Sequence, residues 1–275
     1  MSLPFISAAD VALRLDAAAA AGALEAALAA GLDPEADPPR GVLELEGGQL
    51  LVMPSAAGAH AAVKLVTVGG DPRVQGVCVV FDAATLAPVA LVDGIALTNL
   101  RTPAVSALAV RLLAAPGARR LLVFGRGPQA RAHAEALALG HVDLVGRNAP
   151  ADLDDLVAAA DVICCCTTAR EPLFDGALVA DHAAVVAIGS HEPDVRETDD
   201  ALARRATVVV ESRASALREA GDVIAAIAAG ALAEDELVTL ADLVGGRAAV
   251  APGRPRLFKS TGMAWEDAVV AGALV

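Results

Sequence analysis

Three cations in the chain are positioned where they could bind a small anion. Lys64 interrupts the apolar run AVKLVTV, Arg40 ends the Pro-rich segment DPEADPPR, and Arg101 lies beside the apolar segment TPAVSALA. A charge inside an apolar strand is costly unless an anion or an acid accompanies it, so Lys64 is the hardest of the three to explain as an ordinary structural residue. Arginine can grip a carboxylate with two hydrogen bonds, and the three cations could therefore converge on a small carboxylate. Alternatively, Arg40 is a solvated loop residue and Arg101 a helix-surface residue.

A glycine-rich turn points to a second chemistry. In the segment LLVFGRGPQA, Gly125, Gly127 and Ala130 follow a predicted strand and open a predicted helix, in the G-x-G-x-x-A form of the dinucleotide fingerprint. The first glycine permits a tight turn, the second lets the backbone approach a pyrophosphate, and the small third residue lets helix and strand pack closely. The amides that open the helix then face the phosphate charge. We expect these residues, with Pro128 and Gln129, to bind a dinucleotide, although an ordinary strand-to-helix turn has the same short pattern.

The end of the next strand bears on which dinucleotide binds. NAD enzymes usually carry an acid about twenty residues after the fingerprint, where it contacts the ribose 2′-hydroxyl. Here that region reads Gly146, Arg147 and Asn148. Because an arginine there can contact a 2′-phosphate, we expect Arg147 and Asn148 to bind NADP in preference to NAD. If NAD binds better, Asp143 becomes the candidate ribose ligand.

Two kinds of structure have to position these residues. Residues 7–31 have helical spacing, and the short Val and Leu runs of residues 41–94 predict a meander of strands. A helix is predicted from about Asn99 to Ala114. Beyond the glycine-rich turn, HVDLVGR, ADVICCCTT, AAVVAIGS and RATVVVES are continuous apolar runs, typical of a parallel sheet buried on both faces. The tail from Leu240 is predicted to be helix and loop.

Composition and charge exclude several classes of protein. Hydrophobic residues make up 56% of the chain and aromatic residues only 2%, so the core has to be built from Ala, Val and Leu. A formal net charge of -13 disfavours binding to nucleic acid or to anionic membranes. No apolar stretch long enough to span a bilayer is free of Gly, Pro or charge, and no basic region precedes an apolar one at the N-terminus. We therefore expect a cytoplasmic protein.

The cysteines do not predict a metal site. Three of the four are consecutive, at Cys164, Cys165 and Cys166, and neither a CxxC pair nor a histidine at ligand spacing accompanies them. In an apolar strand they act as small hydrophobic residues, which suits a reducing cytosol.

Six segments together resemble the ornithine cyclodeaminase and mu-crystallin family. They are PPR at 38–40, LLVMPS at 50–55 with VKLVTV at 63–68, LTNLRTPAVSALA at 97–109, FGRGPQARAH at 124–133, IGSHEPDVRETDD at 188–200 and FKSTGMAWEDA at 258–268. RTPAVSALA and FKSTG are the specific ones, since no helix or strand pattern dictates them. The resemblance implies an α/β fold, with a Rossmann NAD(P)-binding domain and a smaller α/β domain for dimerisation and substrate binding.

The resemblance also implies domain boundaries and residue roles. We expect residues 1–113 and the tail 248–275 to form the smaller domain, residues 114–247 to form the Rossmann domain, and the protein to be a homodimer. Cations of the family that match Arg40, Lys64 and Arg101 surround a substrate carboxylate, and Arg101 is also expected to face the cofactor. Three further residues are expected to contact the cofactor: Thr167, Ile188 and Ser190.

Two departures from the family disfavour cyclodeamination. Leu51 stands where ornithine cyclodeaminases carry a Glu that contacts the substrate, and His191 stands where they carry the catalytic Asp. In this respect the chain is more similar to mu-crystallin and to bacterial ketimine or pyrroline-2-carboxylate reductases. A third departure is the short connection from Arg147 to Asp161, which predicts a trimmed Rossmann domain.

The function predicted on these grounds is reduction of a cyclic α-imino acid, such as pyrroline-2-carboxylate or piperideine-2-carboxylate, by hydride from NADPH or NADH. The electrophile is the protonated imine. Arg40 and Arg101 would hold the carboxylate, and Lys64 would hold it or keep the proton on nitrogen, whereas His191 is either catalytic or structural. The alternatives are an ornithine cyclodeaminase, an alanine-type amino-acid dehydrogenase and a non-catalytic, mu-crystallin-like NADP-binding protein.

Overall fold

The computed structural model describes residues 3–275, which divide into two compact units. One unit contains the residues up to Val105 together with Met263–Val275, and the other contains Ser106–Gly262. The sequence predicts these boundaries after residues 113 and 247. The first boundary falls inside a helix instead, and the second lies later because residues 256–259 form a strand of the second unit.

The first unit is built on a six-stranded sheet. Its N-terminal elements are β1 (Phe5–Ile6), α1 (Ala8–Arg14), α2 (Ala17–Ala29), a 3₁₀ turn (Pro34–Ala36), β2 (Gly41–Leu45), β3 (Gly48–Ala57), β4 (His60–Gly69), β5 (Val74–Asp82), β6 (Pro88–Asp93) and α3 (Gly94–Leu113). The strand order is β1-β6-β5-β4-β3-β2, in which β2 to β6 form an antiparallel meander and β1 pairs in parallel with β6. The predicted meander is confirmed.

Two helix predictions are wrong in their bounds, and polar caps explain both. The first helical stretch is two helices, because the Asp16 side chain accepts a hydrogen bond from Ala19 N and begins α2 there. Helix α3 begins at Gly94 rather than Asn99, since the Asp93 carboxylate accepts from the amides of residues 95 and 96. Arg101 consequently lies inside α3 and not at its first turn, so the helix N-terminus does not add to its charge.

The second unit is built on a seven-stranded parallel sheet. Its elements are β7 (Arg120–Phe124), α4 (Pro128–Leu137), β8 (His141–Val145), α5 (Leu153–Ala159), β9 (Val162–Cys165), a 3₁₀ turn (Gly176–Leu178), β10 (Ala184–Ala187), α6 (Asp200–Arg205), β11 (Thr207–Val210), α7 (Arg213–Glu219), α8 (Gly221–Ala228), a 3₁₀ turn (Glu234–Glu236), β12 (Val238–Thr239), α9 (Leu240–Val244) and β13 (Arg256–Lys259). The strand order is β12-β11-β13-β10-β9-β7-β8. This confirms the predicted Rossmann-type α/β fold.

Two features of this sheet concern its edge and its centre. Strand β8 ends the sheet, and the chain returns after α5 to pair β9 with β7 on the other side. The connection from Arg147 to Asp161 is short, and among the described residues no further strand of this sheet lies beyond β8. The prediction of helix and loop for the tail from Leu240 is wrong at β13, which lies between β10 and β11.

The last helix, α10 (Ala264–Gly272), belongs to the first unit and packs on β3 and β4. Its first residue Ala264 shares a buried apolar cluster with Leu51, Met53 and Val66. The N-cap residue Met263 has no oxygen with which to cap the helix. Asp37 supplies that acceptor from a distant loop, since its carboxylate accepts from Trp265 N at 2.8 Å and from Ser55 Oγ at 2.5 Å. The start of α10 is thereby fixed against the sheet.

Within residues 3–275, no helix has the length and apolar character required to cross a membrane.

Candidate functional site

Lys64 lies in the face of the first sheet that α10 covers. The strand register pairs Lys64 with Met53 on one side and with Cys78 on the other. Residues paired across antiparallel strands point to the same face, and Met53 and Cys78 are both buried. The ammonium group, on a side chain only 2% exposed, therefore stands in a row of apolar neighbours.

Two acids of α10 reach this row and meet two cations. The Lys64 Nζ atom is 2.7 Å from Asp267 Oδ2 and donates a 2.9 Å hydrogen bond to Asp267 Oδ1. Arg101 lies 2.5 Å from Glu266 Oε2 through Nη1 and 3.2 Å from Asp267 Oδ1 through Nε. All four side chains are buried. We call Lys64, Arg101, Glu266 and Asp267 the acid–base cluster. Its two cations and two carboxylates cancel in formal charge.

The surroundings of Lys64 bring its pKa close to neutral pH. Burial, followed by repulsion from Arg101, lowers the pKa of Lys64 to about 8, while the charges of Asp267 and Glu266 oppose this shift. Burial, followed by the charge of Asp267, raises the pKa of Cys78 to about 12, so that thiol stays protonated. Lys64 is mostly charged at pH 7 and can nonetheless release a proton at little cost. An ammonium group with three N–H donors can also serve a second acceptor besides Asp267.

Arg40 continues the row of Lys64 at the outer strand. Gly41, the first residue of β2, pairs with Val52, and one step back along that register sets residue 40 beside Met53. Strands lie about 4.8 Å apart, so the backbone of Arg40 is roughly 10 Å from that of Lys64. A long arginine side chain spans most of this distance. Arg40 is half-buried.

Sequence reasoning missed Glu266 and Asp267, although it used the segment that contains them. The signal was available, because AWEDAVVAG is an apolar helix interrupted only by two consecutive acids. A buried lysine in one apolar element and buried acids in another predict each other, since neither charge is tolerated alone.

In the second unit, the backbone of the glycine-rich turn fits a dinucleotide. We call Gly125–Ala130 the nucleotide turn. Gly125 has φ +120°, and a Cβ atom there would lie 2.5 Å from the carbonyl oxygen of Cys166. Gly127 is the N-cap of α4 and Pro128 follows it, so the residue at the N-cap has no side chain with which to cap the helix. Buried Ala130 lets α4 pack against β7. These are the residues that could hold the pyrophosphate.

The remaining predicted cofactor contacts follow three strand ends. Arg147 and Asn148 are exposed after β8, Thr167 follows β9, and Ile188 and Ser190 follow β10. His191 comes next after Ser190 and is half-buried. The carboxyl ends of parallel strands meet at one edge of a sheet, where such folds bind nucleotides. The fold therefore gathers these residues and the nucleotide turn along one edge of the second unit.

Buried Glu197 ties two of these strand ends together, and sequence reasoning missed it. Its Oε1 accepts from Thr167 N at 2.9 Å and from Thr167 Oγ1 at 2.7 Å, while its Oε2 accepts from Gly189 N at 2.7 Å. Burial raises the pKa of Glu197, whereas the nearby Lys259 and these donors lower it. The loops after β9 and β10 are thus held by one carboxylate.

Lys259 extends this support to Ser190. Its Nζ donates a 2.9 Å hydrogen bond to Ser190 O and lies 3.1 Å from Asp222 Oδ2. Asp222 in turn accepts from the backbone amides of Glu197 and Thr198. The positions of Thr167 and Ser190 therefore depend on three buried charged side chains.

The chain is similar in sequence and in fold to known proteins. The sequence profile of the Ornithine cyclodeaminase/mu-crystallin family matches residues 4–146 and 141–275. A Delta(1)-pyrroline-2-carboxylate reductase of Colwellia psychrerythraea is 37% identical over 223 residues, 71% of each chain. The ketimine reductase mu-crystallin of Mus musculus is 34% identical over 252 residues, 82% of this chain and 79% of its own. The fold is similar to that of Thermococcus litoralis Delta(1)-pyrroline-2-carboxylate reductase in complex with NADH and L-proline, with a TM-score of 0.90, 26% identity and coverage of 99% and 96%.

The role of Glu197 can be tested by replacement with glutamine. Because both carboxylate oxygens accept from backbone amides, the Glu197→Gln side chain must turn an NH₂ group toward one of them. We expect the free energy of unfolding to fall by about 1–3 kcal/mol, the cost of a buried unsatisfied donor, as measured by urea denaturation. Glu192→Gln in the same loop is the matched control, since Glu192 pairs with an exposed arginine and should change stability by less than about 0.5 kcal/mol. Equal midpoints for the two variants would refute the supporting role of Glu197.

Proposed function

Because the chain belongs to the ornithine cyclodeaminase/mu-crystallin family, and because its acid–base cluster buries a lysine whose pKa is about 8, we propose that it reduces a small cyclic α-imino acid with NADPH or NADH. The buried lysine is the observation that carries this proposal. The pyrroline-2-carboxylate and ketimine reductases among the relatives support the substrate class. A screen of cyclic imino acids with both reduced cofactors, followed by absorbance of the nicotinamide, tests it directly.

In the proposed reaction the arginines bind the substrate carboxylate. Glu266 and Asp267 hold the guanidinium group of Arg101 from two directions, so that its orientation is set before a ligand arrives. Arg40, at the outer strand of the same face, supplies a second cation. Because the acids already neutralise the cluster, a bound carboxylate adds a negative charge that stabilises the protonated form of Lys64.

The imine nitrogen has to be protonated before its carbon accepts a hydride. Lys64, with its lowered pKa, donates or shares that proton at the imine nitrogen, and buried Met53 and Cys78 beside it limit access of water. The nucleotide turn would hold a nicotinamide cofactor, which would supply the hydride, together with residues Arg147, Asn148, Thr167, Ile188 and Ser190. The product is the cyclic α-amino acid. No step needs His191, whose catalytic role stays a prediction.

We propose further that the protein is a homodimer formed through the other face of the first sheet. Along β3, Leu51 and Met53 point to the buried face, while the alternating residues Leu50, Val52 and Pro54 are apolar and half-exposed. Strands β4 and β5 repeat this pattern. An apolar sheet face of this extent usually marks an interface, and a two-fold axis would cover it with its own copy. Light scattering should give the mass of two chains.

Loss of either cation should impair catalysis, and the buried acid that loses its partner should also lower stability. We expect Lys64→Met or Arg101→Leu to reduce kcat/KM by roughly ten- to a thousandfold, the effect of losing one charged hydrogen-bonding group. Arg111→Leu, an exposed arginine further along α3, is the control and should leave kcat/KM unchanged. Since Lys64→Met leaves Asp267 with one cation, the double variant Lys64→Met/Asp267→Asn restores charge balance and should melt near the wild-type temperature. Full activity of that double variant would remove Lys64 from the mechanism.

The pH dependence of kcat/KM should report the lysine. If protonated Lys64 is required, the rate is high below pH 8 and falls as pH rises through about 8. The charge of Asp267 raises this pKa, so Asp267→Asn should move the alkaline limb to lower pH, whereas titration of the free imine would not move. An alkaline limb at the same pH in both proteins would contradict the assignment.

Ornithine should not be converted to proline at a useful rate, because Leu51 and His191 replace the two carboxylates that this chemistry requires in the family. Ammonia release from ornithine with catalytic NAD is the assay. His191→Asp is expected to recover at most a trace of activity, since Leu51 still leaves the distal amine without a partner. Robust release by the wild-type protein would overturn the reductase proposal.

A further inference from the structure

Arg126, the variable residue between the two glycines of the nucleotide turn, reaches across to the end of β8. Its Nη2 atom lies 3.4 Å from the carbonyl oxygen of Leu144. A Cβ atom built on Gly146 would lie 2.9 Å from Arg126 Nε and 3.2 Å from Arg126 Cδ. The side chain of Arg126 therefore occupies the space that a side chain at position 146 would take.

The backbone fixes this arrangement. Gly125 N donates a 2.8 Å hydrogen bond to Val145 O, which ties the nucleotide turn to the last residue of β8. Arg126 follows Gly125 directly and Gly146 follows Val145 directly, so the two positions have to be neighbours. No rearrangement of the turn is needed to bring the guanidinium group to the strand end.

Position 146 is where discrimination between the two dinucleotides is expected. In NAD-binding domains of this topology, an acid at the end of the second strand accepts hydrogen bonds from the ribose hydroxyls. Gly146 offers no such acceptor, and Arg126 replaces it with a cation next to Arg147. A guanidinium group binds the negative charge of a ribose 2′-phosphate well, whereas a 2′-hydroxyl has no charge for it to bind.

The acid nearest in sequence is engaged elsewhere. Asp143 lies 3.0 Å from His141 Nε2, its neighbour on the same face of β8. Side chains alternate along a strand, so Leu144 and position 146 point to one face and Asp143 points to the other. Asp143 is therefore not the counterpart of the missing acid at position 146.

We propose that Arg126 and Gly146 form a selectivity pair that makes the protein prefer NADP(H) to NAD(H), in addition to any contribution from Arg147. This inference rests on the proposed use of a nicotinamide cofactor and extends it. Gly146 has to lack a side chain so that Arg126 can lie over it, and Arg126 has to be a cation so that the 2′-phosphate is bound. Neither residue is expected to touch the reacting atoms.

The test measures binding of NADPH and NADH to the whole protein by nicotinamide fluorescence, without any imino acid. Wild type should bind NADPH more tightly. Arg126→Ala should weaken NADPH by about ten- to a hundredfold and NADH by less than about threefold, since one charged hydrogen-bonding partner is lost. The double variant Arg126→Ala/Gly146→Asp should bind NADH more tightly than NADPH, because the introduced carboxylate accepts from the 2′-hydroxyl and repels the phosphate. Arg131→Ala, an exposed arginine on α4, is the control and should change neither affinity.

The outcomes separate this inference from the proposed function. An equal loss of both cofactors in Arg126→Ala would mean that Arg126 only stabilises the turn, and unchanged affinities would mean that Arg147 alone reads the phosphate. Either result overturns the selectivity pair. The expected shift in preference, in a protein that turns over no imino acid, would support the pair and refute the reductase proposal. If the wild type binds neither nucleotide, both the selectivity pair and the reductase proposal are refuted.

Discussion

The buried charge of Lys64 is the constraint on which the first unit depends. A lysine in the interior of a sheet costs several kcal/mol unless an acid accompanies it. The acid is Asp267, 203 residues further along the chain. Helix α10 therefore has to return to the first sheet, and Asp37 fixes its first turn there so that Glu266 and Asp267 face the cations. The ion pairs of the acid–base cluster thus add to the apolar packing of α10 on β3 and β4.

The second unit also contains a buried lysine that is paired with a buried acid. The chain has two lysines, and both are buried: Lys259 is 1% exposed and pairs with Asp222. Together with Glu197, this pair holds the backbone of the loops that follow β9 and β10. Neither lysine serves solubility, which the excess of acids already provides. Each instead fixes the geometry of a loop or helix that carries candidate site residues.

Much of the fold can be predicted, because most strands and helices have the apolar spacing typical of their type in the local sequence. Strands β2 to β11 follow from apolar runs between turn residues, and Lys64 is a charge inside such a run, whereas β1 and β12, of two residues each, are too short to be predicted. Strand β13 could not be found in this way, since its four residues include only two apolar ones, between Arg256 and Lys259, and its place is set by pairing with β10 and β11. The partners of Lys64, the role of Glu197 and the approach of Arg126 to Gly146 all join residues distant in sequence. Such contacts become visible only once the sheets have been assembled.

The pairing in the acid–base cluster also limits which reaction the proposed site can perform. A cyclodeaminase needs carboxylates that are available to the substrate amine and to water, and the family resemblance places Leu51 and His191 of this chain where ornithine cyclodeaminases carry them. Glu266 and Asp267 cannot take over that work, because releasing either would leave Arg101 or Lys64 as an uncompensated buried cation. Reduction of an imine needs no free carboxylate. It requires only that the protein bind the substrate carboxylate, keep a proton on the imine nitrogen and bind a hydride donor. A cluster that is neutral before the substrate arrives, with a lysine near its pKa, is suited to the first two tasks and leaves the third to the cofactor.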